Sequence, residues 1–184
     1  MQQMQPTRRG VIVTSIALTL SGVAAGLGGV ASAEPPNYLG LPIDPNIISD
    51  STAYIAEPAV VNPDGQPGVQ QTFTHRDDSR SVTDTVLVLA DPPAAGSALN
   101  NLQSELGAAV VDSTTESVPV GENGIIVSGT SPDGLQAVSV LLFTRGTTAT
   151  EIEFTGSPND PAPQDLIVDY GQRQDEAIKA QLHQ

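Results

Sequence analysis

Leu135-Gln136-Ala137-Val138-Ser139-Val140-Leu141-Leu142-Phe143-Thr144-Arg145-Gly146-Thr147-Thr148-Ala149-Thr150-Glu151-Ile152-Glu153-Phe154-Thr155 decides the fold. Two strand-like segments, Leu135–Thr144 and Thr148–Thr155, flank a short Arg145-Gly146-Thr147 connection. In the second, Thr148, Thr150, Ile152 and Phe154 alternate with Ala149, Glu151 and Glu153. A period of two predicts a strand with one apolar face and one polar, acidic face. Upstream, Ser131-Pro132-Asp133-Gly134 has Pro and Gly where a type I turn wants them. Before that turn lies the β-branched run Gly124–Thr130, and before it Ala109–Val118. Sequential strands joined by tight turns predict an antiparallel meander with one wet face.

Further outward, Asp91-Pro92 opens a helix, with Asp accepting from orphan N–H groups and Pro having none to offer at the first helical position. Ala95, Ala98, Leu99, Leu102 and Leu106 follow at helical spacing, and Gly107 is placed to stop the helix. Val69–His75 and Val82–Ala90 flank the polar Arg76–Arg80 link and predict a hairpin. Beyond the Pro-rich 157–163 connection, Leu166, Ile167, Tyr170, Ala177, Ile178 and Leu182 form one stripe of a C-terminal helix. Gly171 within it marks close packing against the sheet. The order ββ-α-ββββ-α predicts an α+β domain over 69–184: a mostly antiparallel sheet of about six strands with two helices on one face.

Residues 34–68 form a Pro-rich lead. Pro35, Pro36, Pro42, Pro45, Pro58, Pro63 and Pro67 interrupt any helix or central strand, which predicts a linker. Its apolar residues Tyr38, Ile47, Ile48 and Tyr54 also suit a segment docked in a groove.

Residues 1–33 read as a cleavable export signal. Arg8 and Arg9 give the positive end, Val11–Val30 the apolar stretch, and Ala31-Ser32-Ala33 the cleavage site. The glycines within the apolar stretch favour cleavage over a membrane anchor. Thr7-Arg8-Arg9-Gly10 partly matches a twin-arginine signal, but the Sec route is preferred. Arg8 and Arg9 leave with the signal and all 21 acids stay, so five bases face 21 acids, a net charge of −16 over 151 residues.

Such a charge argues against nucleic acid or an anionic membrane as partner. With no cysteine there is no disulfide, no thiolate nucleophile or metal site, and no lipidated N-terminal cysteine. The only lysine is Lys179, so there is no P-loop. Histidine is limited to His75 and His183. A hydrolase would have to use Ser131 with His75, or Glu151 with Glu153, which lie about 7 Å apart along a strand. Ser131 reads more simply as a turn residue, His75 as a hairpin tip, and the glutamates as the wet face of the sheet. Asp44, Asn46, Asp50, Asp64 and Asp160 do not fit a calcium-loop register. No cofactor, metal site or catalytic residue is expected, although the acidic surface could hold cations loosely.

Val86-Leu87-Val88-Leu89-Ala90-Asp91, Ile125–Thr130, Val140–Thr144 and Asp169–Lys179 together resemble a group of small exported Ala/Val-rich proteins of mycobacteria and their relatives. The resemblance covers residues 69–182 and implies no assigned activity, so it transfers no catalytic residue. The order of elements is similar to PsbP/Mog1-like lipoproteins of the same envelope, from which this chain departs by lacking a lipobox cysteine. The expectation is a secreted, monomeric, non-enzymatic envelope protein without a membrane anchor. It would bind a partner protein or a small apolar ligand. Leu99, Leu102, Leu166 and Tyr170 on the helices, with Tyr54 of the lead, are the candidate contact residues.

Overall fold

All strand pairs are antiparallel in the computed structural model, which describes residues 38–49 and 52–183. The export signal, its Ala31 and Ala33 cleavage positions, and Asp50 lie outside the described residues. In chain order the elements are α1 (Asn46–Ser49), β1 (Tyr54–Ala56), β2 (Val60–Val61), a 3-10 turn (Pro63–Gly65), β3 (Gly68–His75), β4 (Ser81–Val88) and α2 (Pro92–Ala109). They continue with β5 (Val111–Ser117), β6 (Glu122–Thr130), β7 (Ala137–Arg145), β8 (Thr148–Gly156) and α3 (Gln164–Leu182). The strands form one open sheet in the order β1-β3-β4-β8-β7-β6-β5, with β2 also beside β3. The protein is thus an α+β domain built on an antiparallel sheet.

The helices take opposite faces, which corrects the one-face expectation. Leu99, Leu102 and Leu106 of α2 pack with Val127, Val138, Val140 and Leu142. Ile167, Tyr170 and Ile178 of α3 pack with Ile126, Leu141, Phe143, Ile152 and Phe154. Even and odd residues of β7 therefore serve different cores, and β7 is buried from Ala137 to Thr144. A strand covered on both sides reads as a continuous apolar run, as Val140–Phe143 does. Glu151 and Glu153 pair with Leu142 and Val140, so they point to the α2 side rather than to an open wet face.

Local signals explain the helix starts. Asp91 Oδ1 accepts the Ala94 N–H at 2.8 Å, and Pro92 is the first helical residue of α2. Gly107 does not end α2, which runs to Ala109 and closes with Val110 N–H on Leu106 C=O. A Cβ on Gly107 would meet nothing within 4 Å, whereas one on Gly171 would lie 2.3 Å from Leu141 Cδ2 and 2.9 Å from Val120 Cγ1. Gly171 lets α3 approach β7 at van der Waals distance.

The Pro-rich lead behaves differently from a linker over its described part. β1 and β2 add two strands to the expected six by pairing along β3. Tyr38 and Leu41 join the α3-side core, Leu41 with only 1% of its surface exposed. Gln174 on α3 clamps this segment. Its Nε2 donates to Leu41 C=O at 2.8 Å, and its Oε1 accepts Ile43 N–H at 3.0 Å. A buried amide whose two ends both find backbone partners removes the desolvation cost of docking an extended segment.

Candidate functional site

Helix α2 lies across one face of the sheet and leaves a concavity on each flank. Toward β5 and β6 there is an open groove of about 630 Å³. Leu99, Val118 and Ile125 supply its apolar surface, and Asn100, Gln103 and Asn123 its amides. Gly96 also lines it, and a Cβ there would meet nothing within 4 Å. A glycine this far inside a helix costs about 1 kcal/mol relative to alanine, and here its absent side chain keeps the groove open. The lining mixes three apolar residues with Asn100, Gln103, Ser117 and Asn123, and its volume falls in the range of about 300–1,000 Å³ that small organic ligands occupy.

The opposite flank holds a smaller cleft of about 50 Å³. Leu87, Leu102 and Leu106 form its apolar side, and the 3-10 turn contributes Pro63 and Asp64. Glu105 of α2 and Glu151 of β8 both line it. Burial, with the neighbouring Glu153 and Glu105 charges adding to it, pushes the Glu151 carboxyl up to about 7. Burial also raises Glu153. The helix that covers these strands creates that environment; a bare sheet face would leave both carboxylates hydrated.

On the α3 face a buried acid sits among aliphatic neighbours. Asp84 is fully buried, and Tyr170 Oη approaches its Oδ2 at 3.3 Å while donating to Ile43 C=O at 2.7 Å. Oδ1 of Asp84 has no partner. Burial pushes Asp84 up to about 8, opposed by its contacts with Tyr170 and the Ile43 backbone.

The sequence-derived contact residues divide between these places. Leu99 borders the large groove and Leu102 the small cleft. Tyr170 is 1% exposed in the opposite core and pairs edge-on with Phe154, ring centroids 5.6 Å apart. Leu166 is 37% exposed near the start of α3. Tyr54, on the edge strand β1, exchanges backbone hydrogen bonds with the Asn46 side chain at 2.9 and 3.0 Å. No single seam gathers all five.

Ser131 and His75 are not brought together. They lie at one end of the sheet, but β4, β8 and β7 intervene, a separation of about 19 Å at the usual strand spacing. Ser131 Oγ donates to Asp133 Oδ1 at 2.6 Å and accepts Gln136 N–H at 3.0 Å, which caps the β6–β7 turn. His75 Nδ1 is 2.5 Å from Asp77 Oδ1, and its ring meets Tyr54 edge-on. Among the described residues, no group of three or more His, Asp or Glu side chains is arranged to hold a metal ion. No described helix is long and apolar enough to cross a membrane.

Glu105, Asp84 and Gln174 were missed by sequence reasoning. Asp84 carried a visible signal: it shares the inward register of Val82 and Val86, where an apolar residue belongs. Glu105 adjoins Leu106 at the border of the α2 stripe. Gln174 gave no sign, because its partners are backbone groups distant in sequence.

The architecture is an antiparallel sheet with one long helix on each face. The same fold occurs in the extracellular domain of PknH from Mycobacterium tuberculosis, at a TM-score of 0.59 and 9% identity over 83% of this chain and all of that domain. At that identity the likeness is one of fold. No family model matches the chain, and no curated protein matches it.

Proposed function

We propose that the protein is an exported, non-enzymatic binding protein of the cell envelope or its exterior, and that the groove between α2 and the β5–β6 hairpin takes a small apolar ligand. The groove itself carries this reading: its volume of about 630 Å³ is of ligand size, and Gly96 opens it at a cost to the helix. Arg8, Arg9 and the Ala31-Ser32-Ala33 motif support export. The fold shared with an extracellular domain is compatible with that location. The resemblance to small exported mycobacterial proteins stays part of this proposal.

A test uses the neutral dye N-phenyl-1-naphthylamine and two variants. Gly96→Leu fills the groove, while Gly107→Leu places the same side chain elsewhere on α2. Saturable dye fluorescence in the wild type and Gly107→Leu, with at least tenfold weaker binding in Gly96→Leu, is expected. Equal binding by all three would overturn the assignment. A second reading, docking of a partner protein, draws on the sheet edge where Ile55, Val60 and Val61 are 50%, 49% and 47% exposed. Co-purification of a protein that is lost in Ile55→Lys, with dye binding unchanged, would favour it, because that edge lies across the sheet from the groove.

A further inference from the structure

We infer that the groove between α2 and the β5–β6 hairpin selects an uncharged amphiphile, its apolar body lying on Leu99, Val118 and Ile125 and its neutral end, a carboxamide or a hydroxyl, held by the side chains of Asn100, Gln103 and Asn123. The inference deepens the groove assignment and rests on it.

Three observations converge. First, the lining is ordered by depth. Leu99 is buried and Val118 and Ile125 are half-buried, whereas Asn100, Gln103, Ser117 and Asn123 are exposed along the rims. Gly96, Asn100 and Gln103 recur at helical spacing on one side of α2, so two amides stand on the rim that Gly96 leaves open. Ser117 and Asn123 stand on the facing rim. Among the described residues no partner engages these four side chains, so their amides and hydroxyl are available to a ligand.

Second, the backbone is shaped around Asn123. The β6–β7 register shifts between Glu122 and Ile125, and Asn123 within that bulge has a φ of 57°. A left-handed residue other than glycine is uncommon, and bulges re-aim side chains beside binding sites. The next residue leaves no slack. A Cβ on Gly124 would lie 2.4 Å from the Val120 carbonyl oxygen and 2.7 Å from that of Val118.

Third, charge is kept out. The chain carries 21 acids and seven bases, yet the residues that line the groove are all uncharged. The acids adjacent to them in sequence are engaged elsewhere. Glu116 lies opposite Ile126, which serves the α3-side core, and accepts from Gln164 Nε2 at 2.8 Å. Glu122 pairs with Arg145 at 3.3 Å. An ionic head would leave water for amides that cannot neutralise it. A carboxamide or a hydroxyl both donates and accepts, as Asn and Gln side chains do.

The test is displacement of N-phenyl-1-naphthylamine from the full exported domain by heptanamide, heptanoate and heptylammonium, which share one alkyl chain, at low and at high salt. The field of an acidic protein favours the cation, so a preference for the amide over heptylammonium must come from the lining. Heptanamide is expected to displace the dye at a concentration at least tenfold below either charged homologue, at both salt levels. Gln103→Leu and Asn123→Gly, the latter suited to a left-handed φ, should bind the dye yet lose that preference. Heptan-1-ol then separates the two neutral ends by which displaces at the lower concentration. Equal displacement by all three homologues, a charged homologue as the strongest, or a preference unchanged in both variants would overturn the proposal and leave the groove assignment standing. Absence of saturable dye binding in the wild type would overturn both.

Discussion

Tyr170 and Asp84 meet inside the α3-side core, Oη to Oδ2 at 3.3 Å, while the same hydroxyl serves Ile43 C=O at 2.7 Å. One phenolic proton cannot be donated to both. With Tyr170 donating to Ile43, the phenol oxygen can accept from Asp84 when Asp84 is protonated, and Asp84 Oδ1 stays without a partner. Burial raises Asp84 to about 8, so it holds that proton at neutral pH. Lead, sheet and α3 are thereby joined through one neutral acid.

The Asp84 contribution has a defined sign. Its folded pKa of about 8 exceeds its ordinary 3.8, so the folded state binds the extra proton between those values. That stabilisation is complete below about 4 and is lost as pH rises toward 8, with a slope of at most about 1.4 kcal/mol per pH unit. Raised Glu151 adds in the same sense up to about 7. Asp175, Asp77 and Asp133 are lowered and act oppositely, losing stability as pH falls below the ordinary carboxylate range. Stability should therefore peak on the acid side of neutrality. Urea denaturation at pH 5, 6, 7 and 8 should show a smaller decline in Asp84→Asn than in the wild type. Parallel curves would contradict the assignment.

Gln174 is predicted to hold the N-terminal segment. Gln174→Leu leaves Leu41 C=O buried and Ile43 N–H half-buried without these partners, at about 1–3 kcal/mol for the carbonyl and less for the amide. Hydrogen exchange at Ile43 should accelerate, and urea midpoints should fall. Exchange at the wild-type rate would show that the segment is held by other contacts.

Two helical glycines should respond in opposite directions. Gly107→Ala meets open space and should stabilise by up to about 1 kcal/mol. Gly171→Ala drives a methyl into Leu141 and Val120 and should destabilise by about 1–3 kcal/mol despite the same helix-propensity gain. Thermal melts of the pair check this. A melting temperature raised in both would contradict the close α3–β7 contact.

Much of this architecture is legible in the sequence, for local reasons. The Asp91-Pro92 start of α2, the 131–134 turn and the alternation of β8 depend on neighbouring residues, and each appears close to its expected place. The faces of the helices depend on β7, where apolar residues at both parities report burial on two sides. Reading β8 alone implied a wet acidic face, because its glutamates do not reveal that α2 crosses above them. The role of the lead was harder still. Its prolines interrupt long elements, yet segments of two and three residues suffice to pair along β3. Of the contact residues, Leu99 falls on the groove, while Tyr170 is buried because aromatic stripe residues serve cores as readily as surfaces.

Native mass spectrometry of the protein recovered from its own host tests the central claim most directly. The account predicts a stoichiometric extra mass that extracts into organic solvent, present in the wild type and absent from Gly96→Leu. A bare polypeptide mass in both, with the protein folded, would contradict the groove as a ligand site.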